Sequence, residues 1–305
     1  MDIASSPVAF ILDFDGTITQ KDTISTIANF AIAFHKARGE DFQDSWDINA
    51  DTYAESYARC LHGYKTARED RKTLAEEIAY LRATKGIEVG SFTAVSKSGI
   101  FQGIGEEQWR QGGRDAIKTG DVNVRKGFRD FIQLLCESGA IWGVVSVNFS
   151  SQFIRGVLEA SLEAGAAELE VLANDPDEEG TLRGPSRGPV MATSDAKLAA
   201  MNELLQRWKS RSKAGVPRVV YIGDSGTDIE CLTAEGVIGI VISRRAEPTP
   251  GDWMATVMMD MLKRVGLEPV HVGSQQEGKG SSLYWARDFG EIIRSPLLGL
   301  ETVKD

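Results

Sequence analysis

Short apolar runs of strand length alternate in this chain with stretches of helical periodicity, and that alternation leaves few folds open. Residues 7–12, 140–147, 169–173, 218–222 and 237–242 are such runs. Residues 127–138, 151–160, 195–207 and 227–234 carry helical spacing, as in Phe128, Phe131, Ile132 and Leu135. Apolar strands separated by helices predict an α/β protein with a doubly wound parallel sheet, covered on both faces. One interruption is large. From residue 22 to about residue 80 the apolar positions fall in helical stripes: Ile24, Ile27, Ala28, Ala31 and Phe34; then Tyr53, Tyr57 and Leu61; then Leu74, Ile78 and Leu81. The pattern continues through 92–117 with glycine interruptions, so an all-helical insertion is expected directly after the first strand. Residues 174–188 read as an exposed hairpin or loop, and 283–293 as a helix docked on the core.

Composition narrows the class further. At 305 residues the chain can bury a core without metal or disulfide staples. Its net charge of -10 argues against nucleic acid as a partner, because binding a phosphate backbone needs a basic face. Cys60, Cys136 and Cys231 are odd in number and far apart, which reads as three buried thiols rather than a disulfide framework or zinc site. His35, His62 and His271 are too scattered for a metal cluster. The N-terminus lacks a basic region followed by an apolar stretch, and no segment reaches membrane-spanning length. A soluble cytoplasmic protein, with neither nucleic acid nor membrane as partner, is expected.

Four segments carry possible chemistry. Asp13-Phe14-Asp15-Gly16-Thr17 follows the first apolar run, at the strand end where open parallel sheets bind ligands. Gly16 lets the backbone turn, so two carboxylates that a continuing strand would point apart can serve one site. A carboxylate nucleophile beside a carboxylic acid is the minimal equipment for making and hydrolysing an acyl phosphate. Gly223-Asp224-Ser225-Gly226-Thr227-Asp228 brings two more carboxylates to the same sheet edge, hard oxygen ligands of the kind that suit Mg²⁺. Ser146, followed by Val147 and Asn148, stands at a strand-to-helix junction where a hydroxyl and free amides can cradle phosphate. Lys197 sits near a helix start, against the helix dipole, where its charge could screen a carboxylate from an anionic phosphate. Taken singly, these segments also read as a strand-ending turn, helix caps and a surface lysine.

Taken together and in this order, they resemble the four motifs of the haloacid-dehalogenase-like (HAD) superfamily of aspartate-nucleophile phosphatases, over residues 8 to about 242. The helical stretch, with Gly184-Pro185 and Gly188-Pro189 ahead of Lys197, resembles the phosphoserine-phosphatase-like branch with its helical C1-type cap. The resemblance implies a Rossmann-like core of residues 1–19 and 119–305 and a cap of residues 20–118. It implies that Asp13 attacks phosphorus and that Asp15 serves as general acid and base. Mg²⁺ would be held by Asp13, Asp15 (through its backbone carbonyl) and Asp224, with Asp228 supporting the site. Thr17, Ser146, Val147, Asn148 and Lys197 would bind the phosphate, and Asp22, at the junction with the cap, would meet the substrate or cap a helix. The expected substrate is a small phosphorylated metabolite. Ser146-Val147-Asn148 and Asp22 both depart from the phosphoserine enzymes, which place glycines and a glutamate there, so the substrate stays open. Two other readings keep the same residues: a phosphomutase, and a catalytically silent regulatory protein that binds a metabolite.

Overall fold

The computed structural model describes residues 8–162, 169–211, 218–243, 253–274 and 282–298. Strand β1 (Val8–Leu12) lies in the middle of a seven-stranded parallel sheet. On one side of it stand β2 (Ile141–Val145) and then β3 (Glu170–Leu172). On the other side come β6 (Arg218–Gly223), β7 (Val237–Ile242), β9 (Leu283–Ala286) and β8 (Val270–His271). The small hairpin β4 (Asp175–Pro176) and β5 (Leu182–Arg183) stands apart from this sheet.

The central strands alternate between two buried layers, which is why β1, β2 and β7 are apolar throughout and β6 is apolar after Arg218. Phe10 and Leu12 point into a layer with Phe128, Phe131, Phe153 and Phe289. That layer is roofed by α6 (Phe128–Ser138), α7 (Ser151–Ser161) and the short α11 (Phe289–Ile293). Phe10 meets Phe131 edge-on, with ring centroids 5.4 Å apart. Ala9 and Ile11 point the other way, into a layer with Met201, Leu204, Ile229 and Met258. These come from α8 (Ser194–Arg211), the short α9 (Ile229–Leu232) and α10 (Trp253–Arg264).

Between β1 and β2 the chain forms five further helices: α1 (Ile24–Lys36), α2 (Gln43–Gly63), α3 (Leu74–Ala83), α4 (Lys85–Ser98) and α5 (Glu106–Thr119). Two glycines let α5 press against α7. A Cβ on Gly113 would lie 2.2 Å from the Phe153 carbonyl oxygen, and one on Gly156 would lie 2.0 Å from that of Arg110. The α3–α4 end meets the sheet's helices through charge. The Arg82 guanidinium pairs with Glu230 of α9, its Nε donating at 3.0 Å, and Lys85 pairs with Asp195 of α8 at 3.1 Å. Glu77 of α3 accepts from Arg71 (2.7 Å) and from Arg264 of α10 (2.9 Å).

Three expectations need correction. Residues 283–293 are not one helix: Leu283–Ala286 is strand β9 on the edge of β7, and only Phe289–Ile293 is helical. Leu-Tyr-Trp-Ala is too short to show a period, and its aromatic content favours a strand. Residues 174–188 are not all exposed, since Asn174 is completely buried. The cysteines also differ from one another: Cys231 is buried, Cys60 half-buried and Cys136 exposed on α6.

Candidate active site

The sheet order reverses around β1, so the carboxyl ends of β1, β2 and β6 open side by side. Asp13 follows β1 directly, Ser146 follows β2 and Asp224 follows β6. Register keeps them level, because Leu12 pairs with both Val144 and Ile222, and the Asp13 amide donates to the Ile222 carbonyl at 2.8 Å. A tight turn, residues 14–18, follows Asp13, with Gly16 at φ 72°. That left-handed conformation, together with contact against Asp224, requires glycine: a Cβ there would lie 2.2 Å from Asp224 Oδ2. Thr17 donates its hydroxyl to Asp224 Oδ1 at 3.3 Å.

Asp13, Asp224 and Asp228 converge, each offering a carboxylate oxygen within 4.8 Å of the others. All three are buried, and so is Lys197, whose side chain is fully inaccessible. Lys197 Nζ reaches Asp13 Oδ1 and Asp228 Oδ1, each at 2.6 Å. Asp228 has its other oxygen filled by the Asp224 amide (3.1 Å) and by the Ser225 amide (2.9 Å) and hydroxyl (3.0 Å), while the Tyr221 hydroxyl donates to Oδ1 at 2.6 Å. It is a braced anion that fixes the lysine and the loop. Asp224 makes no comparable set of bonds, and Asp13 shares only the lysine.

The electrostatics follow from this crowding. Burial, then the charge of Asp228, push Asp13 up to about 7 against the pull of Lys197. Burial, then the charges of Asp13 and Asp228, raise Asp224 well above the carboxylate range. Burial works against the charge of Lys197, but Asp13 and Asp228 more than offset it and hold the ammonium protonated. Lys197 in contact and the buried Arg125 nearby face three carboxylates, which leaves negative charge uncompensated. The donor set is all oxygen and hard, so it fits a small divalent cation.

Asp15 stays outside this cluster. Its Oδ1 accepts from the Thr23 amide (2.9 Å) and hydroxyl (2.7 Å), and its Oδ2 accepts from Asn148 Nδ2 (2.7 Å). Burial, then the charge of Asp22, push Asp15 up to about 8, so at neutral pH it holds a proton it can give away. Asp22 itself is exposed, and its Oδ1 accepts from the Ile24 amide at 2.8 Å at the start of α1. Its charge also reaches Tyr53 of α2, whose hydroxyl donates to Glu88 of α4 at 3.2 Å. Burial pushes Glu88 up to about 7.

Ser146 is fully buried beside this group, its hydroxyl accepting from the Asn148 amide at 3.2 Å. The cap of α7 is supplied by Ser150, whose hydroxyl accepts from the Phe153 amide at 3.1 Å, while the Asn148 side chain donates through Nδ2 to Asp15. Thr23, Asn174 and Tyr221 went unnoticed in the sequence. Asn174 braces the Ser146 loop, donating to the Val147 (3.1 Å), Asn148 (3.0 Å) and Met191 (3.0 Å) carbonyls. A detectable signal was its position directly after an apolar strand.

The comparisons agree with this architecture. The chain is 30% identical over 232 residues to a CTO1 family protein of Schizosaccharomyces pombe, covering 73% of this chain and 77% of the relative. It is 27% identical to the bifunctional TH2 protein, mitochondrial, of Arabidopsis thaliana, covering 76% of this chain but only 39% of that longer protein. Among solved structures, cytosolic 5'-nucleotidase IIIB bound to cytidine superposes with a TM-score of 0.51 at 13% identity, over 86% of this chain and 78% of that one. No family model matches the chain.

Proposed function

The chain belongs to the CTO1 family and has the haloacid-dehalogenase-like fold, and from that premise we propose that it hydrolyses small phosphate monoesters with the help of Mg²⁺. The observation that carries this reading is the buried contact of Lys197 with Asp13, beside the converging carboxylates of Asp224 and Asp228. Asp13 is the nucleophile. One of its carboxylate oxygens forms a bond to phosphorus as the bond from phosphorus to the substrate's ester oxygen breaks, leaving an aspartyl phosphate. Asp15, protonated at neutral pH, gives its proton to the departing oxygen. It then takes a proton from the water that attacks the phosphorus, releasing inorganic phosphate and restoring Asp13. Lys197 offsets the repulsion between an anionic phosphate and a carboxylate nucleophile.

Asp13, Asp224 and the Asp15 backbone carbonyl would hold Mg²⁺, with Asp228 as their brace; when bound, the ion supplies the charge neutralisation that phosphoryl transfer depends on. Ser146, Thr17 and the backbone of Val147 and Asn148 bind the phosphoryl oxygens. The helices between β1 and β2 act as the cap (about residues 20–118), and Asp22, with Tyr53 and Glu88 near it, meets the leaving group.

The test is phosphate release from p-nitrophenyl phosphate. Turnover should require Mg²⁺ and disappear in Asp13→Asn. Turnover that persists undiminished in that variant sinks the reading.

A further inference from the structure

The two segments joining the helical insertion to the sheet are clasped together. The Gln20 amide donates to the Asn123 carbonyl (2.9 Å), the Arg125 amide donates to the Ile18 carbonyl (2.7 Å), and Thr19 forms an antiparallel bridge with Val124. From the returning segment, the side chain of Arg125 runs back onto the turn that follows the nucleophile. Its Nε donates to the Thr17 carbonyl at 3.0 Å, and its Nη2 donates to the Gly16 carbonyl and, at 3.4 Å, to that of Thr19. Arg125 is 5% exposed. Burying a guanidinium is costly unless its donors are used. Here Nε and Nη2 are spent on the carbonyls of one short turn.

Gly16 and Thr17 are also the residues that touch Asp224, Gly16 through its close backbone approach and Thr17 through its hydroxyl. One residue pair is therefore gripped from two directions: its carbonyls by Arg125, and its remaining atoms by Asp224. A shift of the turn by even a fraction of an ångström would change the spacing between Asp13 and Asp224.

We propose that Arg125 is a positioning residue for phosphoryl transfer. Through the Gly16 and Thr17 carbonyls it sets Asp13 against Asp224, and it ties that spacing to the clasped linkers of the insertion. The inference rests on the hydrolase reading above. The fork geometry matters as much as the charge, since a lysine ammonium is a point donor that cannot span adjacent carbonyls in a fixed plane.

The test compares Arg125→Lys, Arg125→Gln and Gln20→Ala in the full chain. Gln20→Ala removes another bond of the same clasp, from Gln20 Nε2 to the Val124 carbonyl at 3.2 Å, without touching the turn's carbonyls. The readouts are p-nitrophenyl phosphate kinetics under Mg²⁺, Mn²⁺ binding followed by electron paramagnetic resonance, and thermal melting. Both Arg125 variants should melt cooperatively, lose about tenfold or more in kcat with KM nearly unchanged, and bind Mn²⁺ more weakly. Gln20→Ala should match the unmodified protein. Wild-type kcat and Mn²⁺ binding in Arg125→Lys, an equal loss in Gln20→Ala, or failure of both Arg125 variants to melt cooperatively would overturn the proposal. An unmodified protein that neither releases phosphate nor binds Mn²⁺ sinks the hydrolase reading and this inference with it. An active one that is indifferent to Arg125→Lys sinks the inference alone.

Discussion

Asp13 and Asp224 repel each other in a buried space with one lysine between three carboxylates, and residue-scale consequences follow. Removing one of the charges should stabilise the protein without metal while removing its response to metal. Asp224→Asn is expected to raise the melting temperature in chelator and to abolish the rise that Mg²⁺ gives the unmodified protein; scanning calorimetry with and without the ion checks both. The same crowding sets the pH dependence. Asp13 and Asp15 are raised from 3.8 to about 7 and about 8, so both hold protons more tightly folded than unfolded. Their contribution to stability is complete below the unfolded value and is lost as the pH climbs through the folded values. In chelator the melting temperature should therefore fall between about pH 4 and about pH 8, and Mg²⁺ should blunt the fall at its upper end. Asn148 offers a finer probe. Its bond to Asp15 opposes the upward shift, so Asn148→Ala should move the alkaline limb of the rate profile to higher pH. An unmoved limb would mean that Asp15 is not the acid.

At the scale of elements, α5 and α7 cross with almost no room between their backbones. Gly156→Ala places a methyl 2.0 Å from the Arg110 carbonyl oxygen, which a rigid helix pair cannot absorb. It should cost about 1–3 kcal/mol, read as a lower urea midpoint at unchanged slope. How far such elements were legible beforehand depended on their position. Asp13, Ser146 and Asp224 each follow a largely apolar strand, and a strand end is a place the pattern itself marks. Lys197 was visible as a lysine on the wrong end of a helix dipole. Thr23 and Arg125 lie outside such marks. Their value comes from which carbonyl or carboxylate their side chains meet, and no periodicity encodes that. Leu283–Ala286 escaped for another reason: four residues hold too little pattern to separate a strand from a helix, and only pairing with β7 decides it.

Across the whole molecule, charge holds the insertion to the sheet's helices at the α3–α4 end, through Arg82 with Glu230, Lys85 with Asp195 and Arg264 with Glu77, in addition to the close packing of α5 on α7. Glu230 is buried and also accepts from the Ser194 hydroxyl at 2.8 Å, whereas Lys85 and Asp195 are open enough for solvent to screen them. Arg82→Ala should therefore loosen the insertion more than Lys85→Ala. Hydrogen exchange should show it as faster exchange in α3 and α4, with β1 and β6 unchanged. The strand order has a consequence on a different clock. β1 is made first and sits centrally, but its neighbours β2 and β6 begin at Ile141 and Arg218. During synthesis this apolar strand must wait, one flank open, until Arg218 and the residues after it have left the ribosome. Asp13, the nucleophile of the proposed reaction, is translated long before the carboxylate it converges with, which does not exist until Asp224 is added. A nascent chain stopped anywhere between the two carries one half of the site without the other.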